Sequence, residues 1–341
     1  MTHEIQIATD APPAPGTSRD VAPGIRWVRM PLPFPPSHVN CWLIEDEGGY
    51  VLVDTSINNE ATQHLWQQVL SELGNPRITR VLITHFHPDH AGLAGWFCER
   101  ADAPLVMPRT EFLQARFLWL DTGEDMLAQQ AAFVRRAGAP KEYQTFVVNR
   151  GPLYQKSVSA LPRSYQRIIA GQTIRIGGRD WAVHTGMGHA PEMACLLCET
   201  DRIFISADQV LPRISPYIGV HAPEPAADPL ADFLFTLDRF RVVPEDVFVL
   251  PSHGLPFHGL HPRLAALETH HAHRLDLLQD GLAAPHTVVE ASGLLFPRGL
   301  DQNQLGFGIG ETFAHLNRLV GMGAIEAEEA PDGILHFTRK G

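Results

Sequence analysis

Thr84-His85-Phe86-His87-Pro88-Asp89-His90 is the stretch that most restricts what this chain can become. It follows directly on the apolar run Val81-Leu82-Ile83, which reads as a strand, so its side chains emerge in a loop at a strand end. His85 and His87 stand two apart and can point the same way, and a turn at Pro88 brings Asp89 and His90 back beside them. Imidazoles and a carboxylate gathered within so short a segment suit borderline divalent metals such as zinc. A solvated histidine-rich loop would need neither this order nor this spacing.

Composition bounds the class. With 341 residues, 44% of them hydrophobic and 19% charged, the chain can build a large core, and one large domain with or without a small appendage is expected. Disorder throughout, collagen-like repeats and coiled coil are excluded. No apolar run approaches the roughly 20 residues of a membrane span. Residues 1–20 lack the basic start and apolar core of a secretory signal. Four cysteines are too few for a disulfide scaffold, so a reducing cytoplasm is expected. A net charge of −11 repels nucleic acid and anionic membranes alike. Histidine, at 18, is the unusual count.

Along the chain, residues 11–23 are proline-rich and aperiodic, and residues 1–23 read as an extended arm. Short β-type runs follow at Ile25–Met30, Val39–Glu45, Tyr50–Asp54 and Arg80–Thr84, with a helical stripe over Ala61–Leu73. A second set covers Thr173–Ile176, Asp180–His184, Met193–Glu199, Arg202–Ser206 and Asp246–Leu250. Two mainly antiparallel strand sets with helices between them predict an α/β fold in which two sheets pack face to face, helices outside. Residues 109–168 read as a helical insertion, with nine Lys/Arg against five Asp/Glu in an otherwise acidic chain. From Arg263 onward a helix through Leu264, Leu267, His271, Leu275 and Leu278 is expected. A second helix opens on a capping box at Thr287 and Glu290, and a third covers about Ile309–Val320. Ala324–Glu329 and Ile334–Thr338 form a hairpin around Pro331-Asp332-Gly333. Residues 263–341 thus read as a winged-helix-like module behind a domain of residues 24–262.

The loop at His85 resembles the signature His-x-His-x-Asp-His of the metallo-β-lactamase superfamily. The likeness continues through Gly188-His189, Ala207-Asp208 and Ser252-His253, with Asp54 matching an early supporting aspartate. It implies a four-layer αβ/βα sandwich and two divalent metal ions, zinc first, with iron or manganese also accepted by such ligands. His85, His87 and His189 would hold one ion, Asp89, His90 and His253 the other, and Asp208 would bridge them. Such a pair shares a hydroxide and makes a nucleophile at neutral pH, with Asp89 able to orient it. The filled bridging position argues against a true β-lactamase, and the filled second site argues against single-iron persulfide oxygenases. Ala190-Pro191-Glu192-Met193 lacks the histidine of close glyoxalase II proteins. The tail resembles that of a hydrolase branch with acyl thioesterases and some endoribonucleases.

A thioester such as an acyl-CoA is the expected substrate, because a thiolate leaves without a dedicated acid. Arg163 and Arg167 of the basic insertion would seat its anionic part, and Arg213, Tyr217 and His258 could also touch substrate. Lactone hydrolysis and RNA cleavage are the alternative reactions. DNA binding through the tail is disfavoured, since residues 263–341 carry six Lys/Arg against ten Asp/Glu. A small acyl molecule is therefore the expected partner, without nucleic acid or membrane, and a homodimer is compatible with the chain. Cys195 and Cys198 read as buried structural thiols.

Overall fold

The computed structural model describes residues 5–9 and 11–340. In chain order the elements begin with Gln6–Ile7 (β1), Ser18–Ala22 (β2), Ile25–Pro31 (β3), His38–Asp46 (β4), Gly49–Val53 (β5) and Glu60–Glu72 (α1). Arg77–Leu82 (β6), Pro88–Ala91 (α2), Ala94–Ala101 (α3) and Leu105–Pro108 (β7) follow. Then come Arg109–Leu120 (α4), Glu124–Arg136 (α5), Lys141–Arg150 (α6) and Leu153–Ser157 (α7). The next strands are Gln166–Ile168 (β8), Thr173–Ile176 (β9), Arg179–Gly186 (β10), Met193–Cys198 (β11) and Ile203–Ala207 (β12). Pro229–Arg239 (α8), Phe248–Pro251 (β13), Phe257–His258 (β14) and Leu260–Gly281 (α9) lead to Val288–Leu295 (α10), Leu305–Gly321 (α11), Ile325–Glu329 (β15) and Leu335–Arg339 (β16).

Two compact units result. One comprises Met1–Leu120, Leu153–Pro216 and Phe240–Arg263; the other comprises Asp121–Pro152, Tyr217–Arg239 and Leu264–Gly341. The first holds two seven-stranded sheets, in the orders β2-β3-β4-β5-β6-β7-β8 and β1-β14-β13-β12-β11-β10-β9. Alternate residues face a shared core, with Trp27, Trp42, Ile44 and Val53 from one sheet meeting Trp181, Val183, Leu196 and Ile205 from the other. Trp66 of α1 is buried outside the first sheet, its indole donating to the Thr55 carbonyl at 2.8 Å. Outside the second sheet, Phe240 packs edge-on against Phe204 at 5.5 Å. This is the expected mixed α/β sandwich.

The pairing departs from the mainly antiparallel expectation at the places that build the site. β5·β6, β6·β7 and β7·β8 are parallel, and so is β12·β13. Helices α1 and α3 make the crossovers that parallel neighbours require. Strand ends that follow one another in sequence therefore gather at the same edge. Asp54, just past β5, comes to lie beside the loop that follows β6. Asp208, just past β12, comes beside Ser252 and His253 after β13, with Ser252 N–H donating to the Ala207 carbonyl at 3.1 Å.

In the second unit, α5, α10 and α11 pack with the β15–β16 hairpin, as Phe133 against Phe313 at 5.1 Å and Arg136 with Glu329 at 2.8 Å illustrate. The Thr287–Glu290 capping box is formed on both sides. Helix α11 starts a turn before the expected Ile309, running through Gly306, Gly308 and Gly310. Glycine costs helical stability, but here bulk decides. A Cβ at Gly306 would lie 2.8 Å from the Tyr143 hydroxyl, and one at Gly310 would collide with that of Tyr217.

Candidate metal centre

The loop after β6 is held at both ends by one carboxylate. Asp54 adopts a left-handed backbone (φ 59°), costly for a non-glycine residue, which aims its side chain back over the strand edge. Its Oδ1 accepts from Thr84 N–H and its Oδ2 from the Thr84 hydroxyl, both at 2.8 Å, and Oδ2 also meets His90 Nδ1 at 2.9 Å. Thr55 closes the other side, its amide and hydroxyl donating to the His90 carbonyl at 2.9 and 2.7 Å. The single turn of α2 places Asp89 and His90 back over the edge.

These supports also orient the rings. Because the Thr84 hydroxyl donates to Asp54, it accepts from His85 Nδ1–H at 3.0 Å and leaves Nε2 of His85 free to ligate. His253 donates Nδ1–H to the His38 carbonyl at 2.6 Å, turning its own Nε2 toward Asp89 (3.4 Å) and Asp208 (3.2 Å). His87 Nδ1 lies 3.0 Å from His85 Nε2 and 2.9 Å from His189 Nε2. Asp208 Oδ2 is 3.3 Å from His189 Nε2, and its Oδ1 is 3.5 Å from His90 Nε2.

Three overlapping donor triads result: His85, His87 and His189; His85, His90 and Asp208; Asp89, His90 and His253. Four donors about 2.0–2.1 Å from a tetrahedral zinc stand roughly 3.3 Å from one another, and the donor separations given above, from 2.9 to 3.5 Å, bracket that value. His90 Nε2 and Asp208 Oδ1 are buried without a hydrogen-bond partner. Orphaned buried polar atoms are costly, and a cation between them would satisfy both. Donor chemistry, spacing and orphaned atoms all fit bound metal ions.

Electrostatics divides the cluster. Burial, reinforced by neighbouring imidazoles, holds His85 and His87 well below the usual histidine range, so both are neutral and ready to ligate. Burial works against His90 too, but Asp89, Asp208 and Asp54 outweigh it and hold it up at about 9. For Asp208, burial is opposed by His253 and His90, which keep the carboxylate well below its ordinary range.

Asp54, His85, His87, Asp89, His90, His189, Asp208 and His253 are all brought to this one edge of the sandwich. The residues expected to touch substrate are not gathered in the same way. Arg167, on β8, sits 3.9 Å from Glu192, three residues beyond His189. Arg163 is exposed nearby in sequence, and Arg213 is exposed on the loop after Asp208. His258 must be corrected. It stacks on Phe248 at 5.0 Å and meets the Val247 carbonyl at 3.3 Å, at the opposite end of β13 from His253. Tyr217 belongs to the second unit, where it meets Phe307 edge-on at 5.2 Å. Cys195 and Cys198 are buried thiols, as are Cys41 and Cys98.

Sequence reasoning missed two supports, buried Glu111 and half-buried His38. Glu111, on α4, accepts from Phe86 N–H at 3.0 Å and from Glu192 N–H at 2.6 Å. His38 backs His253 through its carbonyl, and its Nε2 accepts from Gly254 N–H at 2.8 Å. An acid in the first turn of a helix gives no sign in sequence that it is buried, because that position is usually solvated. His38 carried no motif at all.

A two-sheet sandwich with imidazoles and carboxylates converging at one edge defines a metallo-hydrolase. The chain belongs to the metallo-β-lactamase superfamily, whose family model matches residues 34–278. A second model, for a metallo-β-lactamase-like C-terminal domain, matches residues 275–340. A crystal structure of a β-lactamase domain protein from Burkholderia ambifaria is 38% identical, covers 99% of both chains and superposes with a TM-score of 0.92. The metallo-β-lactamase family protein TTHA1429 from Thermus thermophilus is 29% identical, with a TM-score of 0.81 over 94% of this chain and 100% of its own. The probable metallo-hydrolase YqjP of Bacillus subtilis (strain 168) is 24% identical over 311 residues, which are 89% of this chain and 92% of the relative.

Proposed function

We propose that the chain hydrolyses thioesters of the acyl-CoA kind, using two zinc ions held at the cluster. His85, His87 and His189 would hold one ion and Asp89, His90 and His253 the other, with Asp208 shared between them. Bound zinc would polarise the acyl oxygen and lower the pKa of water from 15.7 towards about 7. The protein's own contribution is orientation. Asp54, Thr84 and the His38 carbonyl fix the rings, while Asp89 and Asp208 supply fixed negative charge and accept protons by hydrogen bonding.

The observation that carries the thioester reading is the commitment of three titratable groups that support the cluster. Tyr154 donates its hydroxyl to the Phe86 carbonyl at 2.6 Å. Glu111 is occupied by two backbone amides, and His38 by Gly254. None of the three is left to protonate a poor leaving group, so a substrate whose leaving group is stable as an anion fits best. Arg167, beside Glu192, and exposed Arg163 would meet the anionic part of the substrate. The three helices and hairpin of the C-terminal stretch are read as a winged-helix-like packing or dimerisation module, given their acidic charge. The buried thiols suit a reducing compartment such as the cytoplasm.

The test is a substrate panel with zinc-reconstituted protein: acyl-CoA thioesters, lactones and single-stranded RNA. Thioester turnover is expected to dominate. Arg167→Ala should raise KM for acyl-CoA about ten-fold and leave a short neutral thioester unchanged. Cleavage of RNA or lactones in preference to thioesters would overturn the reading.

A further inference from the structure

Glu111 is fully buried, although acidic side chains are rarely so without a cation beside them. Its partners are two main-chain amides from different loops. Phe86 stands between His85 and His87, and Glu192 follows His189 by three residues. Oε2 holds the first amide at 3.0 Å and Oε1 the second at 2.6 Å. A return bond ties the same elements together, since Thr110 N–H donates to Glu192 Oε2 at 2.8 Å. The Phe86 peptide is gripped on its other side as well, its carbonyl accepting from Tyr154 at 2.6 Å.

We propose that Glu111 is a positioning residue that sets the distance between the His85/His87 arm and His189, and so the metal affinity of the three-histidine position. The two oxygens of one carboxylate are rigidly spaced, so two loops bound to them cannot drift apart independently. The Asp89/His90/His253 position takes none of its support from Glu111; Asp54, Thr55 and His38 brace it instead. Glu111 touches no ligand ring, and its effect is transmitted through the backbone of Phe86 and Glu192. Tyr154 acts on the same arm by restraining Phe86. The inference rests on the metal-binding reading above but not on the thioester substrate.

The experiment measures zinc stoichiometry and stepwise affinity by chelator competition in wild type, Glu111→Gln, Glu111→Ala and Tyr154→Phe. Cobalt(II) spectra then report which position is filled. Losing an outer support of a ligand typically weakens metal affinity about 10- to 100-fold. Glu111→Ala should show that loss at the three-histidine position alone, with the second position at wild-type affinity. Glu111→Gln keeps one acceptor oxygen and the side-chain volume but turns an NH2 toward the other amide, so an intermediate loss is expected even if the alanine variant folds poorly. Tyr154→Phe should weaken the same position by a smaller factor. Wild-type affinity at both positions in Glu111→Gln, or equal weakening at both, would overturn the proposal. Wild type that binds no zinc would instead overturn the metal reading beneath it. In that case faster hydrogen exchange at Phe86 and Glu192 in Glu111→Gln would still support Glu111 as the tie between the loops.

Discussion

At the scale of single residues, the centre depends on carboxylates whose two oxygens do separate jobs. Asp54 spends one on the Thr84 amide and the other on the Thr84 hydroxyl and His90, so it fixes a peptide and a ring together. Asp208 faces His189 and His253 with one oxygen and His90 with the other. Asp208→Ala should therefore cut turnover by about 100-fold or more while circular dichroism stays native, as expected for a group that orients reacting species. Retained activity in a folded variant would refute the shared-ligand role. His253→Ala should lower bound metal from two equivalents toward one, measured by elemental analysis of replete protein. Legibility differed sharply at this scale. His85, His87, Asp89 and His90 were readable because four donors are consecutive or nearly so. Glu111 was not, because its burial comes from two loops distant in sequence, and His258 was misplaced because proximity to His253 in sequence became opposite ends of one strand.

At the scale of elements, the glycines of α11 and the cap of α10 show two ways in which local chemistry sets a boundary. Thr287 and Glu290 satisfy each other's backbone donors, and Thr287→Ala should cost about 1 kcal/mol in denaturant unfolding. Gly310 is the opposite case. Alanine is the better helix former there, yet its Cβ would collide with the Tyr217 hydroxyl. Gly310→Ala is expected to destabilise by about 1–3 kcal/mol, the usual cost of overpacking, and Tyr217→Phe in the same chain should restore part of it. A stabilising Gly310→Ala would show that propensity outweighs packing at this position. The capping box was visible as a spacing of residue types. The early start of α11 was not, because three glycines within five residues argue against a helix until their neighbours are known.

At the scale of the whole molecule, a pair of buried rings in the second unit is expected to add to the acid sensitivity that neutral His85 and His87 bring in the first. His315 donates Nδ1–H to the Glu311 carbonyl at 2.8 Å, so its Nε2 accepts from His271 Nδ1–H at 3.2 Å, and both rings are neutral. Burial, then the neighbouring His315 ring, pushes His271 down to about 2, and burial pushes His315 down to about 4. The unfolded chain takes up protons first, near the ordinary value of 6.5. The pair's contribution is thus intact above pH 6.5 and is lost as pH falls towards 4, by about 1 kcal/mol per pH unit for each ring. Urea unfolding at about pH 7.5, 6 and 5 should show this slope, and His271→Leu should reduce it by one ring's share, about 1 kcal/mol per pH unit. A slope unchanged in that variant would place the acid sensitivity elsewhere.

The sequence by itself determined the donor types, their grouping in the loop after β6, and the alternating patterns that make two sheets share a core. These are short-range properties: strand periodicity and ligand spacing are written within a few residues of one another. Tertiary structure alone decided which strand ends meet. Parallel pairing of β5 with β6 and of β12 with β13 carries Asp54 to the histidine loop and Asp208 to His253, and the residues of a strand do not by themselves say which strand lies beside it. It also decided which polar groups are buried, and so which support the ligands. Burial depends on elements far apart in the chain, and the same Glu111 would be an ordinary solvated helix residue without the two loops that close over it.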